Sequence, residues 1–528
     1  MKKIFIYDTT LRDGSQTEGI SYSLQDKINI AKKLDHLGIH FIEGGWPYSN
    51  PKDKELFEYF KRNSLKNSKL VPFGSTAHPA SSASRDKNLR ALLKAETEYV
   101  TIFGKTWDLH VKEVLRISPE DNLRIIHDSI RFLRKHNRCV FYDAEHFFDG
   151  YKNNKKYALK TLKAAIEGGC ELIVFCDTNG GTLPWEVKTI INAVKEELGL
   201  EFFGIHCHND LGLSIANSII SVENGCNHIQ GTINGYGERC GNADLIPIIG
   251  ILQLKMGYKV IPSEQLKNLT ELSHIISEIS NMAHRDNHPF VGKSAFAHKG
   301  GIHIDAVLKN PQSYEHINPE LVGNKRRFLI SELAGKSSLV AKAKELQLSM
   351  DKKSSRAKKI HATLQQLEKE GYQFEVADAS FKLILEKEFK RYRKLFDVEG
   401  FRVIVEKRND GVLISEATVK IRISGNLEHT ASEGDGPVNA LDNALRKALE
   451  KFYPKLKEMH LTDFKVRVLD EKSGTAAKVR VFIESQDEKE SWTTIGVSEN
   501  IIEASYNALI DALEYKLLKE HRKKIIKG

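Results

Sequence analysis

The chain has 528 residues, a net charge of +9, and 41% hydrophobic and 28% charged residues. Such a length exceeds one compact core and points to two to four domains of ordinary soluble composition. The positive charge is diffuse, with local excess only at 352–359 and 519–527. Without interleaved aromatic residues these runs are solvated faces, so nucleic acid is not an expected partner, whereas a mild positive field suits small anionic substrates. No apolar run approaches the length of a membrane span, and the one before Asp8 is too short for a signal peptide. Cys139, Cys170, Cys176, Cys207, Cys226 and Cys240 contain no Cys-x-x-Cys pair and mostly sit on apolar runs. Buried, reduced thiols in a cytoplasmic protein are expected.

From residue 3 to about residue 256, short apolar runs alternate with amphipathic helical patterns. The runs are Ile4–Tyr7, Phe41–Ile42, Leu70–Phe73, Tyr99–Phe103, Cys139–Tyr142, Leu172–Cys176, Phe202–Ile205 and His228–Thr232. Leu24–Leu37 and Tyr157–Glu167 are typical of the helices between them. Eight such units predict an α/β fold, a (β/α)₈ TIM barrel, in preference to a doubly wound open sheet.

Polar clusters follow seven of the eight runs: Asp8–Gly14, Glu43–Pro47, Ser75–His78, Asp143–His146, Asp177–Gly180, His206–His208 and Asn234–Asn242. All fall at C-terminal strand ends, the rim where a barrel keeps its active site. Side chains alternate along a strand, so His206 and His208 leave one face together and can grip a divalent cation. An isolated pair of this kind is more often two polar residues at a strand end. Asp13, at the end of the first strand, supplies a matching carboxylate.

Tyr7–Gln16, His206–Asp210 and Gly235–Asn242, in that order, resemble the 2-isopropylmalate, homocitrate and citramalate synthase family. Glu43–Asp53 is most similar to the citramalate branch. The resemblance covers essentially the whole chain and implies a metal-dependent condensation. The methyl carbon of acetyl-CoA joins the ketone of a 2-oxo acid, and the thioester is then hydrolysed. The enzyme class implied is an acyltransferase that converts the acyl group to alkyl on transfer. The branch implies pyruvate as acceptor, (R)-citramalate as product and a place in isoleucine biosynthesis. Its alternative is 3-methyl-2-oxobutanoate as acceptor, the 2-isopropylmalate reaction of leucine biosynthesis. A related barrel lyase acting on 3-hydroxy-3-methylglutaryl-CoA, and a catalytically silent amino-acid sensor, are weaker readings.

By the same resemblance, Asp13, His206 and His208 hold Mn, Mg, Zn or Co, with Asn242 as an extra ligand. Arg12 polarises the substrate carbonyl, Thr178 binds the 2-oxo acid carboxylate, and Glu145, His303 and Tyr314 share the acid–base work. Asp143-Ala144-Glu145-His146 departs from the family's more usual Ser-x-Glu-Asp at that strand end.

Helices are expected over Ser263–Ala283, Lys336–Leu346 and Asp351–Glu370. The segment from His298 to Glu315 resembles the family's post-barrel subdomain, which in the family reaches into an active site. The last part contains a repeat: Asn443-Ala444-Leu445 returns 64 residues later as Asn507-Ala508-Leu509. The first copy follows strands over Ala417–Ser424 and Leu427–Ser432, and the second follows strands over Lys478–Ser485 and Trp492–Val497. This part is similar to the family's C-terminal regulatory domain, which implies isoleucine as feedback inhibitor and a homodimer. Gly434 and Gly436 suit a tight turn into a helix, with or without a carboxylate held at its N–H groups. The expected division is a catalytic barrel over 1–262, helical linker subdomains over 263–394 and an α+β regulatory domain over 395–528.

Overall fold

The computed structural model describes residues 3–329, 336–345, 350–351, 353–469, 474 and 476–527. They fall into two compact units, one within Met1–Phe296 and Ile317–Arg326, the other within Ala297–His316 and Arg327–Gly528.

In the first unit strand and helix alternate: β1 (Phe5–Asp8), α1 (Leu24–Leu37), β2 (Phe41–Gly45), α2 (Pro51–Arg62), β3 (Lys69–Ser75), α3 (Lys87–Lys94), β4 (Tyr99–Lys105) and α4 (Pro119–Lys135). The series continues with β5 (Cys139–Glu145), α5 (Phe147–Gly168), β6 (Leu172–Asp177), α6 (Pro184–Leu198), β7 (Gly204–Cys207), α7 (Ser214–Glu223), β8 (His228–Gly231) and α8 (Leu245–Leu254), and α9 (Leu269–Ile279) follows. The eight strands pair in sequence order, and β1 closes on β8 in parallel register, Phe5 opposite His228 and Asp8 opposite Gly231. The expected (β/α)₈ barrel is therefore present.

Strand alternation explains its two cores. Tyr7, Phe41, Phe141 and Val174 point into the barrel and pack on one another. Their neighbours Ile6, Ile42, Val140 and Ile173 turn outward onto the helices. Helix α1 starts where Ser23 and Asp26 cap each other reciprocally, and it buries Ile28, Ile30, Ala31 and Leu34 at helical spacing.

Some sequence expectations shift. β7 begins at Gly204 rather than Phe202, because its pairing with β6 starts there, Gly204 opposite Val174. Phe202 stays 64% exposed in the preceding loop. The single helix expected over Ser263–Ala283 is a three-ten turn, Ser263–Asn268, followed by α9, and Asn281 in a left-handed conformation ends it. All six cysteines carry free thiols, but only Cys176, Cys207 and Cys226 are buried, and Cys240 is exposed in the loop after β8. No helix among the described residues is long and apolar enough to cross a membrane.

The second unit opens with β9 (Ala297–His298), α10 (Gly301–Lys309) and β10 (Arg327–Phe328), whose strands pair in parallel. Helices α11 (Lys336–Glu345), α12 (Ser355–Glu370) and α13 (Asp378–Glu388) follow. Leu346, where the sequence reading ends its helix, lies outside the described residues. Helix α12 starts later than Asp351 because Ser354 caps it, accepting from Ala357 N–H. Then come β11 (Asp397–Lys407), β12 (Leu413–Ile423), β13 (Asn426–Gly434) and α14 (Pro437–Leu449), and again β14 (His460–Val468), β15 (Val479–Gln486), β16 (Ser491–Ser498) and α15 (Ile501–Lys527). Each set of strands is a three-stranded antiparallel sheet.

The repeat extends to single atoms. The Thr430 hydroxyl donates to the Ala444 carbonyl at 2.8 Å, and the Thr494 hydroxyl to the Ala508 carbonyl at 2.8 Å, both residues displaced by 64. Strand and helix approach so closely that a Cβ on Gly434 would stand 2.4 Å from the Ala440 nitrogen, and one on Gly496 1.9 Å from the Ala504 carbonyl oxygen.

Candidate active site

The turn after β1 is built by its own side chains. Asp8 accepts from the Thr10 backbone and hydroxyl, each at 2.9 Å, and the Thr9 carbonyl accepts from Arg12 and Gly14 N–H groups. Burial pushes the Asp8 carboxyl up to about 7. The fold delivers Arg12 and Asp13 to the barrel mouth, while β7 brings His206 and, one pleat further, His208, which bridges to Asn242. Ligand atoms of Asp13, His206 and His208 all lie within 4.8 Å of one another, the one such group among the described residues. His206 Nε2 stands 3.3 Å from Asp13 Oδ2, to which Asn242 Nδ2 donates at 2.8 Å.

The donor set fits a divalent cation. It offers one carboxylate and two imidazoles, and His208 Nδ1 and Asn242 Oδ1 are buried with no hydrogen-bond partner among the described residues. Burial, reinforced by neighbouring His206, pushes the His208 imidazole down to about 3, so it is a neutral ligand at ordinary pH. Burial would raise Asp13, but Arg12 above all, with His206 and His208, holds its carboxyl well below the usual range. For His206, burial works downward and the bond to Asp13 outweighs it, giving a net upward shift.

Hydrogen bonds lock these groups from both sides. Tyr7 donates to Glu43 Oε2 at 2.7 Å, and Glu43 Oε1 accepts from Arg12 Nε at 2.6 Å. The Arg12 guanidinium also faces Asp13 at 3.4 Å and lies over the Phe73 ring, 3.8 Å from its centroid. Burial raises the Glu43 carboxyl, and Arg12 offsets part of that. On the other side, Gln230 donates to Asp143 at 3.0 Å and its carbonyl oxygen faces His206 Nδ1 at 2.9 Å. That pairing fixes a proton on His206 Nδ1, so that Nε2, the nitrogen facing Asp13, is the one that would ligate a cation. Asp143, one of the two residues that depart from the family pattern, thus holds a histidine through a glutamine. Burial, with Glu43 adding to it, pushes Asp143 up to about 7.

Arg12, Asp13, His206, His208, Glu145 and Thr178 line one cavity of about 250 Å³. Asn242 reaches it through Asp13. The Thr178 hydroxyl accepts from His146 N–H at 2.9 Å and keeps its own proton to donate. Three aromatic rings, Trp46, Phe73 and Phe103, also line this cavity. Trp46 meets Phe73 and Phe103 edge-on at 5.9 and 5.8 Å, and its indole N–H donates to Asn88 at 2.7 Å. His303 and Tyr314 belong to the second compact unit, where their rings stack at 4.2 Å and Tyr314 is 48% exposed.

The sequence reading passed over Phe73, Phe103, Gln230 and Lys105. The first three look like core residues of their strands. Lys105 had a usable signal, as the one charged residue closing the fourth strand, the end at which no polar cluster was read.

A family model described as HMGL-like matches residues 3–276, more than half of the chain. A homocitrate synthase post-HMGL domain-like model matches 290–371, and a LeuA allosteric (dimerisation) domain model matches 375–517. The (R)-citramalate synthase of Aquifex aeolicus is 55% identical, covering 99% of this chain and 100% of its own. That of Geobacter sulfurreducens is 52% identical, covering 100% and 99%. The 2-isopropylmalate synthase of Methanocaldococcus jannaschii is more distant at 32% identity, covering 98% and 96%. With the barrel, its rim and these full-length likenesses together, the chain belongs to the 2-isopropylmalate, homocitrate and citramalate synthase family of HMGL-like condensing enzymes, on its (R)-citramalate synthase branch.

Proposed function

We propose that this chain condenses acetyl-CoA with pyruvate to give (R)-citramalate and CoA, an acyl-to-alkyl transfer that feeds isoleucine biosynthesis in the cytoplasm. The observation that carries the reading is a small cavity lined both by a metal-competent Asp13, His206 and His208 group and by the rings of Trp46, Phe73 and Phe103. A divalent cation (Mn, Mg, Zn or Co) bound there, with Asn242 as a further ligand, supplies Lewis acidity toward the ketone oxygen of the 2-oxo acid. Arg12, steadied by Glu43, turns its remaining N–H groups to the same oxygen, where negative charge develops. Thr178 donates to the 2-oxo acid carboxylate. Glu145 takes a proton from the acetyl methyl group, and the electron pair left behind attacks the ketone carbon. His303 and Tyr314 serve the later proton transfers and the hydrolysis of the thioester.

Pyruvate brings only a methyl group to the ring wall, and Trp46 is pinned there by Asn88. A second cavity of about 440 Å³ shares Trp46 and Phe103 with the first and carries Arg85, Lys87 and Lys105. It suits the pantetheine arm and phosphates of acetyl-CoA. The regulatory part, 395–528, binds isoleucine as feedback inhibitor and joins two chains into a homodimer, with 1–262 as the catalytic part and 263–394 as linker. The match to an allosteric (dimerisation) domain supports this, as do Val405, Val466 and Val468 left exposed on β11 and β14.

The test is CoA thiol release from acetyl-CoA with pyruvate, 2-oxobutanoate and 3-methyl-2-oxobutanoate. Pyruvate should give the highest kcat/KM, with little turnover of the branched acid. A preference for 3-methyl-2-oxobutanoate would make the enzyme a 2-isopropylmalate synthase instead.

A further inference from the structure

β4 ends on Lys105, in register with Glu145 of β5. The two strand ends are laced together, because both the backbone N–H and the hydroxyl of Thr106 donate to the Glu145 carbonyl, at 3.3 and 2.5 Å. Across this rigid junction the Lys105 ammonium pairs with the Glu145 carboxylate. The side chains are only 19% and 22% exposed, and the ammonium lies 5.5 Å from the centroid of the Phe103 ring. The pair also sits where the two cavities meet, since Glu145 lines the smaller and Lys105 the larger.

We propose that Lys105 is a catalytic residue of the acetyl-CoA half of the reaction, its ammonium passing from the Glu145 carboxylate to the oxygen of the thioester enolate. The inference rests on the reading above, in which Glu145 is the base. Before proton transfer the ion pair is balanced. When the methyl C–H bond breaks, its proton goes to a Glu145 oxygen and its electron pair forms the enolate double bond, leaving negative charge on the thioester oxygen. Glu145 is then neutral, and Lys105 would be a partly buried cation without a counter-charge. Such an orphaned charge is costly, and the enolate oxygen removes the cost by taking the carboxylate's place. The ammonium thereby binds the enolate better than the ground-state ester, which is the condition for lowering a barrel-rim proton-transfer barrier. A pair that served strength alone would gain little from this half-sheltered position.

The experiment uses the full-length, metal-loaded enzyme with pyruvate and either acetyl-CoA or its trideuterated methyl form. K105M should lower kcat by about 10²–10³-fold, the usual effect of removing one preorganised charge partner. The deuterium isotope effect should rise, because proton removal becomes slower relative to the other steps, and the KM for pyruvate should stay within about threefold of wild type. K105R should recover part of kcat. Should K105M fail to fold by circular dichroism, K105Q carries the same expectations. A neutral variant that keeps more than about a third of kcat overturns the inference. So does one that loses only acetyl-CoA affinity with kcat and isotope effect unchanged, which would make Lys105 a phosphate anchor. A wild-type enzyme inactive with pyruvate would instead overturn the functional reading, so the two failures are separable.

Discussion

The barrel rim and the C-terminal repeat spend their polar residues in opposite ways. At the rim, Asp8, Asp13, Glu43, Asp143 and His206 are all buried, and burial pushes three of those carboxyls upward. In the repeat, β12 alternates buried Ala417, Val419, Ile421 and Ile423 with outward polar residues, and α14 hides Ala440, Leu441, Ala444 and Leu445. Some of its ion pairs, such as Arg422 with Glu399, stand in solvent, where they contribute little. Burying charge costs stability, so a chain that does so repeatedly in one place does it for chemistry. The repeat, in contrast, is built to be a stable frame.

The widest separation between the two regions is expected from His206→Ala. Activity should fall by at least about 10³-fold while the melting profile stays near wild type, because the metal group is lost and the aliphatic cores are untouched. Activity assays with added metal and with chelator, alongside thermal melts, check this. Full activity in the variant would end the metal assignment. Trp46→Leu should act on selectivity instead. Removing the ring edge that faces Phe73 and Phe103 should raise kcat/KM for 3-methyl-2-oxobutanoate relative to pyruvate by about 10–200-fold, the usual yield of a size-discriminating pocket. An unchanged ratio would return Trp46 to a packing role.

The smallest effect concerns a sheltered ion-pair cluster of the repeat. Asp487, 3% exposed at its side chain, meets Lys516 at 2.8 Å and Lys519 at 3.0 Å. Burial works upward on this carboxyl, and the two ammonium groups with the Lys489 and Glu490 N–H bonds overcome it, holding it well below the ordinary range. A depressed carboxyl stabilises the fold above its unfolded value of about 3.9 and loses that contribution as the pH falls through the folded value. Melts of wild type should therefore drop steeply below about pH 4, and Asp487→Asn, already weaker at neutral pH, should show a flatter acid limb. Parallel curves for the two proteins would deny the pair its role.

Much of this was legible in the sequence. Alternating runs and helices gave eight strands, and six polar residues that line the cavity, Arg12, Asp13, Glu145, Thr178, His206 and His208, stood at strand ends. Strands β11 and β14 went unread because so much of each is solvated. Their charged residues, as in Asp397–Lys407, break the apolar alternation that marks a half-buried strand. The relay from Asp143 through Gln230 to His206 was equally hidden. It joins residues 87 positions apart, and nothing in a lone glutamine on an apolar strand announces that it orients a histidine. The cavity wall was missed for a similar reason, since Phe73 and Phe103 are indistinguishable from core until the barrel closes.

Gly434 and Gly496 carry a mechanical consequence. Strand and helix touch there at backbone distance, Gly434 against the Ala440 nitrogen and Gly496 against the Ala504 carbonyl. Flexible side chains act as springs between elements, and a contact without them is stiff. Any force that shifts α14 or α15 must therefore drag β13 or β16 along with it. In each half of the repeat the strand end and its helix are therefore expected to move as one piece.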